Sequence, residues 1–160
     1  MDQNNKFRVV AWWSSGRTGI AKSDSAPNAI HFAAPVAFGG LEGRWTPEDM
    51  LMGAVASCFT TTFRALADRS AFEYTDLQMD VEGTVSRDGP AYAFTAIMIR
   101  ANLTVPREEA AERGLRLLHK TKAVCLVSRA LAVEQTFEPV VTVGVPAARA
   151  SEQGELAVKK

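Results

Sequence analysis

Cysteine and histidine are scarce in this 160-residue chain, two of each. Two cysteines do not make a disulfide framework, so the thiols are expected free in a reducing cytoplasm. A disulfide that forms there is more often transient and catalytic than structural. No C-x-x-C pair occurs, and the cysteines and histidines stand at no ligand spacing, which argues against a zinc ribbon, a thioredoxin-like motif or a metal centre. Neither sign of charge is in excess: 18 basic residues balance 18 acidic ones. That removes the bulk electrostatic case for nucleic acid or an anionic membrane as partner. No apolar run approaches the ~20 residues that span a bilayer. The opening "MDQNNKFRVV" lacks the charged head and apolar core of a secretory signal. Internal repeats, a G-x-x-x-x-G-K-[ST] phosphate loop and a G-x-S-x-G elbow are also missing. Nothing implies a metal, flavin or nucleotide cofactor.

What remains is an ordinary globular composition, 47% apolar and 22% charged, in a length that suits one cored domain. That domain is expected over residues 1–145, with 146–160, rich in alanine and charge, as a flexible tail. Residues Phe7 to Trp13 ("FRVVAWW") read as a strand, turned by "SSG" at Ser14 to Gly16. A short strand from Gly19 to Lys22 and a further segment in "AIHFAAPVAF" complete a small antiparallel meander. "FGGLEGRW" is a glycine-bearing loop. Two long strands, Tyr74 to Ser86 and Tyr92 to Val105, flank the turn signal "RDGP". Leu77, Met79 and Val81 offer one face, and Phe94, Ala96 and Met98 another. "REEAAERGLRLLHK" is an amphipathic helix, "TKAVCLVSRAL" a short helix or kinked extension, and Thr136 to Val145 a last strand. The order βββ–α–ββ–α–α–β predicts an α+β fold with mainly antiparallel sheets and two main helices.

The first long helix holds Cys58. Thr46 can cap it, Pro47 fits its first position, and Glu48 and Asp49 suit its positive end. Leu51, Val55, Cys58, Phe59, Thr62 and Leu66 fall on one stripe. Gly53 either costs roughly 1 kcal/mol in the helix or marks the close approach of another backbone. Cys58 and Cys125 each read as a small core hydrophobe or as a reactive thiol.

The stretch "EGRWTPEDMLMGAVASCFTTTF" resembles the helix signature of the OsmC/Ohr family of thiol-dependent peroxidases. In that family a threonine/asparagine–proline–glutamate segment opens a helix, and the reactive cysteine lies ten residues after the glutamate. Glu48 and Cys58 have that spacing. "AVCLVSRAL" resembles the second cysteine motif, and "SSGRTGIAKSD" the early turn that supplies the active-site arginine, here Arg17. The resemblance runs roughly from Val9 to Val143. "GRWTPEDM" looks closest to a third, less defined branch of OsmC-like proteins. The resemblance implies an intertwined homodimer, a hydroperoxide substrate, and a dithiol reductant of the dihydrolipoamide type. Two departures stand out. Leu126 occupies a position where many relatives have proline. The OsmC branch takes its arginine from near Phe38 in this numbering, so Arg17 favours the Ohr-like arrangement, with Arg44 as the fallback.

The chemistry such a site needs is available. A thiolate attacks peroxide, a guanidinium favours the thiolate and polarises the breaking O–O bond, and a carboxylate can hold the guanidinium's planar fork. Cys125 is the available thiol to trap a sulfenic acid on Cys58. Ten helical residues place Glu48 ~15 Å along the axis from Cys58, so one arginine cannot reach both on a straight helix. Glu48 is therefore expected to serve a second subunit's site. Trp12, Trp13, Trp45, Phe59 and Phe63 read either as packing or as an apolar pocket, with Trp45, Phe59 and Phe63 the substrate-binding candidates. The rival class is a redox-inactive small-molecule-binding or interaction domain on the same fold.

Overall fold

The computed structural model describes residues 5–145. The tail at 146–160, expected to be flexible, lies outside the described residues. The chain divides into two compact units, one up to Ala54 and one from Val55.

The first unit carries strands β1 (Val9–Ser15), β2 (Thr18–Ser23) and β3 (Ile30–Ala33) in one antiparallel sheet of order β1-β2-β3. The first strand starts two residues later than expected and runs through Ser15. The turn thus falls on Gly16 and Arg17, where Gly16 takes a positive φ of 50°. The pairing shifts between Trp13 and Ser15, which lets the strand absorb the extra residues. Every residue of β1 is exposed, Trp13 among them at 73%. After β3 the chain makes a 3₁₀ turn, Val36–Phe38. A Cβ on Gly40 would lie 1.5 Å from the Ala34 carbonyl oxygen, so only glycine fits that backbone approach. Trp45 then bridges to Phe32, and its carbonyl accepts the Ala33 N–H at 3.0 Å.

Helix α1 (Pro47–Arg69) starts in the first unit and continues into the second. Its beginning is a reciprocal cap: the Asp49 N–H donates to Thr46 Oγ1 at 3.1 Å, and the Thr46 N–H donates to Asp49 Oδ2 at 2.9 Å. The neighbour that explains Gly53 is a side chain, not a backbone. The Trp45 ring would lie 3.2 Å from a Cβ added there. The buried line along α1 is Val55, Phe59, Phe63 and Ala67, each one turn from the next. Leu51, Cys58, Thr62 and Leu66 flank it half-buried, so Cys58 stands at the edge of the apolar stripe rather than at its centre. By length and composition alone α1 could cross a bilayer, but Phe59, Phe63 and Ala67 pack into the second unit's core, as residues of a core helix do.

In that unit β4 (Asp76–Asp88) and β5 (Ala91–Val105) pair antiparallel, and β6 (Glu134–Val143) pairs with β5 in parallel. A parallel neighbour requires a crossover. Helices α2 (Ala111–Val124) and α3 (Leu126–Ala130) supply it, after a 3₁₀ turn at Glu108–Ala110. The sheets remain mainly antiparallel. Leu77, Met79 and Val81 face the core side with Leu103, Ala101 and Ile99, their register partners. On β5 the expected face was out of phase. Ile97, Ile99, Ala101, Leu103 and Val105 are the buried set, while Ala96 and Met98 point the other way. The pairing skips Thr95, and this bulge puts Phe94 on the Ile97 face. Pro139 is tolerated because β6 is an edge strand.

Helix α1 ends in a Schellman motif. The Phe72 N–H donates to the Ala67 carbonyl at 2.9 Å and the Ala71 N–H to the Asp68 carbonyl at 3.2 Å. Ala67 and Phe72 are both buried in the core cluster. Ala71 supplies the left-handed residue, with φ 47°, where glycine carries no Cβ penalty. Ala71→Gly is therefore expected to raise stability by about 1 kcal/mol, and Ala71→Val to lower it. Urea unfolding midpoints check both, and an Ala71→Gly protein less stable than the parent would contradict the strain.

Candidate active site

The two cysteines, 67 positions apart in sequence, meet in the second unit. Cys58 is half-buried on α1, and Cys125 is fully buried in the break between α2 and α3. Both are free thiols. The chain leaves α2 with Cys125 at φ −61° and ψ 114°, an extended conformation, then re-enters a helical turn. The break sends the next backbone N–H groups to the sulfurs. Burial opposes charge on the Cys58 thiol. Against it, the Val127 N–H, the Cys125 thiol, the Thr62 hydroxyl and the Leu126 N–H all bond the sulfur, and together they hold its pKa below the ordinary cysteine value. The Thr62 contact spans 4.0 Å. Cys125 goes the other way. Burial pushes its pKa up, the Ser128 and Val127 N–H groups offset part of this, and the neighbouring Cys58 raises it further. Burial and hydrogen bonding thus move the two thiols in opposite directions.

Around the pair lies a polar knot. Gln135, at the start of β6, accepts from the buried Ser128 hydroxyl at 2.6 Å and from Lys122 Nζ at 2.9 Å. Its amide donates to the Ser128 carbonyl at 2.8 Å and to the Leu131 carbonyl at 3.2 Å. Sequence patterning did not point to Gln135 or to the Leu126 and Val127 amides. The available signal was the "CLVS" run itself, since a helical turn restarting after Cys125 leaves its first N–H groups without intrahelical partners.

Of the other expected site residues, Arg17, Arg44, Trp45 and Glu48 belong to the first unit, and Phe59 and Phe63 to the second. Arg17 sits in the β1–β2 turn, where its guanidinium donates to the Phe38 carbonyl and its stem lies against Gly39. Its own carbonyl accepts the Ala34 N–H at 2.9 Å. Arg44 is exposed in the bend before α1. Glu48 is in the first turn of α1, and its Oε2 is buried with no hydrogen-bond partner among the described residues. Trp45 is 56% exposed. Phe59 and Phe63, by contrast, are fully buried and packed on Phe137, Phe72 and Tyr74, so in this chain they present no surface to a ligand. His31 lies in β3, and the His119 ring stands edge-on to Phe137. Among the described residues no cluster of three or more His, Cys, Asp or Glu could hold a metal.

Comparison with known proteins adds four findings. The family model described as "OsmC-like protein" matches residues 40–139. An uncharacterized protein, YmaD, of Bacillus subtilis is 28% identical over 147 residues, covering 88% of this chain and 97% of that protein. Peroxiredoxin OsmC of Escherichia coli is 23% identical over 123 residues, 77% of this chain and 85% of its own. Among solved structures, an OsmC-like protein of unknown function from Vibrio cholerae superposes with a TM-score of 0.74 at 13% identity, over 86% of this chain and 100% of that one.

The opposite shifts of the two thiols predict their order of reaction. With limiting iodoacetamide at pH 7, alkylation falls on Cys58 at least about tenfold ahead of Cys125, because thiolate fraction and access both favour it. Peptide mass mapping reads the ratio, and equal labelling would contradict the assignment.

Proposed function

Because the chain belongs to the OsmC-like protein family, we propose that it is a thiol-dependent peroxidase that reduces hydroperoxides, organic ones in particular, in oxidative-stress defence. The observation that carries this reading is the pair itself: a half-buried Cys58 whose pKa is held below the ordinary cysteine value, beside a buried Cys125 whose pKa is pushed above it. The Cys58 thiolate attacks the terminal peroxide oxygen. An S–O bond forms, the O–O bond breaks, and the alkoxide leaves as an alcohol after taking a proton. Sulfur gives up two electrons and becomes a sulfenic acid. The Cys125 sulfur then attacks it, an S–S bond forms, and water departs with the Cys125 proton. A small dithiol of the dihydrolipoamide type returns both cysteines to thiols by exchange. No metal or organic cofactor enters the cycle.

Arg17 is assigned the role of favouring the thiolate and polarising the peroxide, and Glu48 that of holding the guanidinium. Two features support a homodimer with shared sites. Glu48 buries a carboxylate oxygen that lacks a partner in the single chain, and β1 exposes Val9, Trp12 and Trp13. An oxygen of that kind costs about 1–3 kcal/mol unless a donor arrives. Trp45, which is exposed, is the apolar surface assigned to the substrate. Free thiols suit a cytoplasmic setting.

Intact mass after one equivalent of cumene hydroperoxide tests the cycle. Wild type is expected to lose two hydrogens, Cys125→Ser to gain oxygen stepwise, and Cys58→Ser to remain unchanged. Unreacted thiols in all three would favour a binding domain on the same fold. Arg17→Met is expected to slow peroxide turnover by about 10²-fold.

Subunit sharing has its own test. Cys58→Ser and Glu48→Gln proteins are each expected to be inactive as homodimers. Mixed and reassorted, they should regain about a quarter of wild-type sites, since each heterodimer rebuilds one complete site. Failure to complement would place Glu48 in the same subunit's site.

A further inference from the structure

The knot at Gln135 is larger than a strand residue needs. Its amide engages four partners on three segments: Lys122 from the last turn of α2, Ser128 twice within α3, and Leu131 just beyond it. Both amide hydrogens and the amide oxygen are used. Ser128 is buried and half of the exchange is with its backbone, so the bonds fix the course of the chain as well as a side chain. The segment so fixed begins at Cys125 and includes the two amides that bond the Cys58 sulfur, Leu126 and Val127. Gln135 itself is held in register by β5, opposite Ile97. A rigid strand thereby sets the position of a short helical turn that has few intrahelical bonds of its own.

We propose that Gln135 is a positioning residue for the thiol pair, tying Lys122, Ser128 and Leu131 together so that Cys125 and the Leu126 and Val127 amides stay against the Cys58 sulfur. This rests on the peroxidase reading only for its purpose, since the placement of the donors is a property of the resting thiols. The donors divide unequally. The Leu126 N–H bonds Cys58, the Val127 N–H faces both sulfurs, and the Ser128 N–H faces Cys125. Leu126 thus stands among the donors that lower the Cys58 pKa. Its side chain is 69% exposed, so the residue at this position is chosen for its backbone and its surface rather than for core packing. Proline there would delete that donor and little else. The position opens a helical turn, where proline's φ fits, and Cys125 before it is already extended as a pre-proline residue must be.

The test is the pH profile of iodoacetamide alkylation, read separately for Cys58 and Cys125 by peptide mapping. Cys125 is the titratable group bonded to Cys58, and Lys122 the charged group bonded to Gln135, so both thiols are followed. In Gln135→Leu the Cys58 midpoint is expected to move to higher pH, with the thiolate fraction below the midpoint falling about threefold or more. Gln135→Glu keeps the acceptor for Lys122 and Ser128 and loses both donors. It is expected to fall between, and it decides the matter if Gln135→Leu does not fold. Leu126→Pro should move Cys58 in the same direction and leave Cys125 in place. A folded Gln135 variant with a lower melting temperature and an unmoved Cys58 midpoint would show packing alone and overturn the proposal. No peroxide enters these measurements. Midpoints that move in a protein whose thiols ignore cumene hydroperoxide would support the positioning role while removing the peroxidase reading.

Discussion

A half-buried sulfur set among hydrogen-bond donors is the constraint around which the thiol site of the second unit is organised. Burial opposes charge on Cys58, and apart from the Thr62 hydroxyl the donors that offset it cannot come from α1, whose backbone N–H groups are occupied within the helix. They come from the interruption at Cys125. The Cys125 N–H still closes α2 on the Thr121 carbonyl at 2.9 Å, and the Arg129 N–H opens α3 on the Cys125 carbonyl at 3.0 Å. Between them the N–H groups of Leu126, Val127 and Ser128 would, in an unbroken helix, face carbonyls four residues back. The break frees them, and the sulfurs receive them. One non-helical residue thus places the second thiol and also supplies the first with its hydrogen bonds.

The fold around the break keeps it from relaxing into continuous helix. The crossover must bring the chain from the end of β5 to the start of β6 alongside the same strand, and that return fixes where α2 stops. Thr121 is buried and its hydroxyl bonds the Leu117 carbonyl, so the last turn of α2 is committed to the core side. Leu117 and Leu118 share that cluster with Phe59 and Phe63 of α1. The aromatic pair that looked available for a ligand instead fixes α1 against the sheet and α2.

Much of this could be read from the residue pattern, because the signals were local. The Thr46–Pro47–Asp49 start of α1, the Gly89–Pro90 turn and the apolar period of α2 each declare themselves within a few residues, and the structure holds the first two within two positions and α2 within four. The misreadings came where a tertiary partner decides. A bulge skipping Thr95 reverses which side of β5 is buried beyond it, and nothing in "YAFTAIMI" marks the skipped residue. The neighbour of Gly53 is a tryptophan ring eight residues earlier, equally silent in a helical pattern. On α1 the stripe was drawn through Cys58, yet Phe63 and Ala67 set its centre, which left the sulfur at the edge where it can be reached. At the site, the spacing of Glu48 and Cys58 and the "CLVS" run carried the family resemblance. Gln135 stayed hidden because a single glutamine in a strand looks like any solvated polar residue until its four partners are seen.

The geometry of α1 bears on how a complete site can arise. Glu48 and Cys58 are fixed on one continuous helix, ~15 Å apart along its axis, and no side-chain rotation shortens that distance. A guanidinium that pairs with the carboxylate therefore cannot also touch the sulfur of the same helix. The Glu48 oxygen is nonetheless already buried and unpartnered, a cost that only an arriving donor offsets. The proposed second copy of the chain would resolve both facts together. Two-fold symmetry makes every contact occur twice. If the first turn of one α1 lies over the thiol pair of the other, each helix contributes its carboxylate to one site and its thiol to the next, and a single arginine can span the gap. A wholly exposed strand bearing two adjacent tryptophans is the kind of apolar surface that such an association would cover.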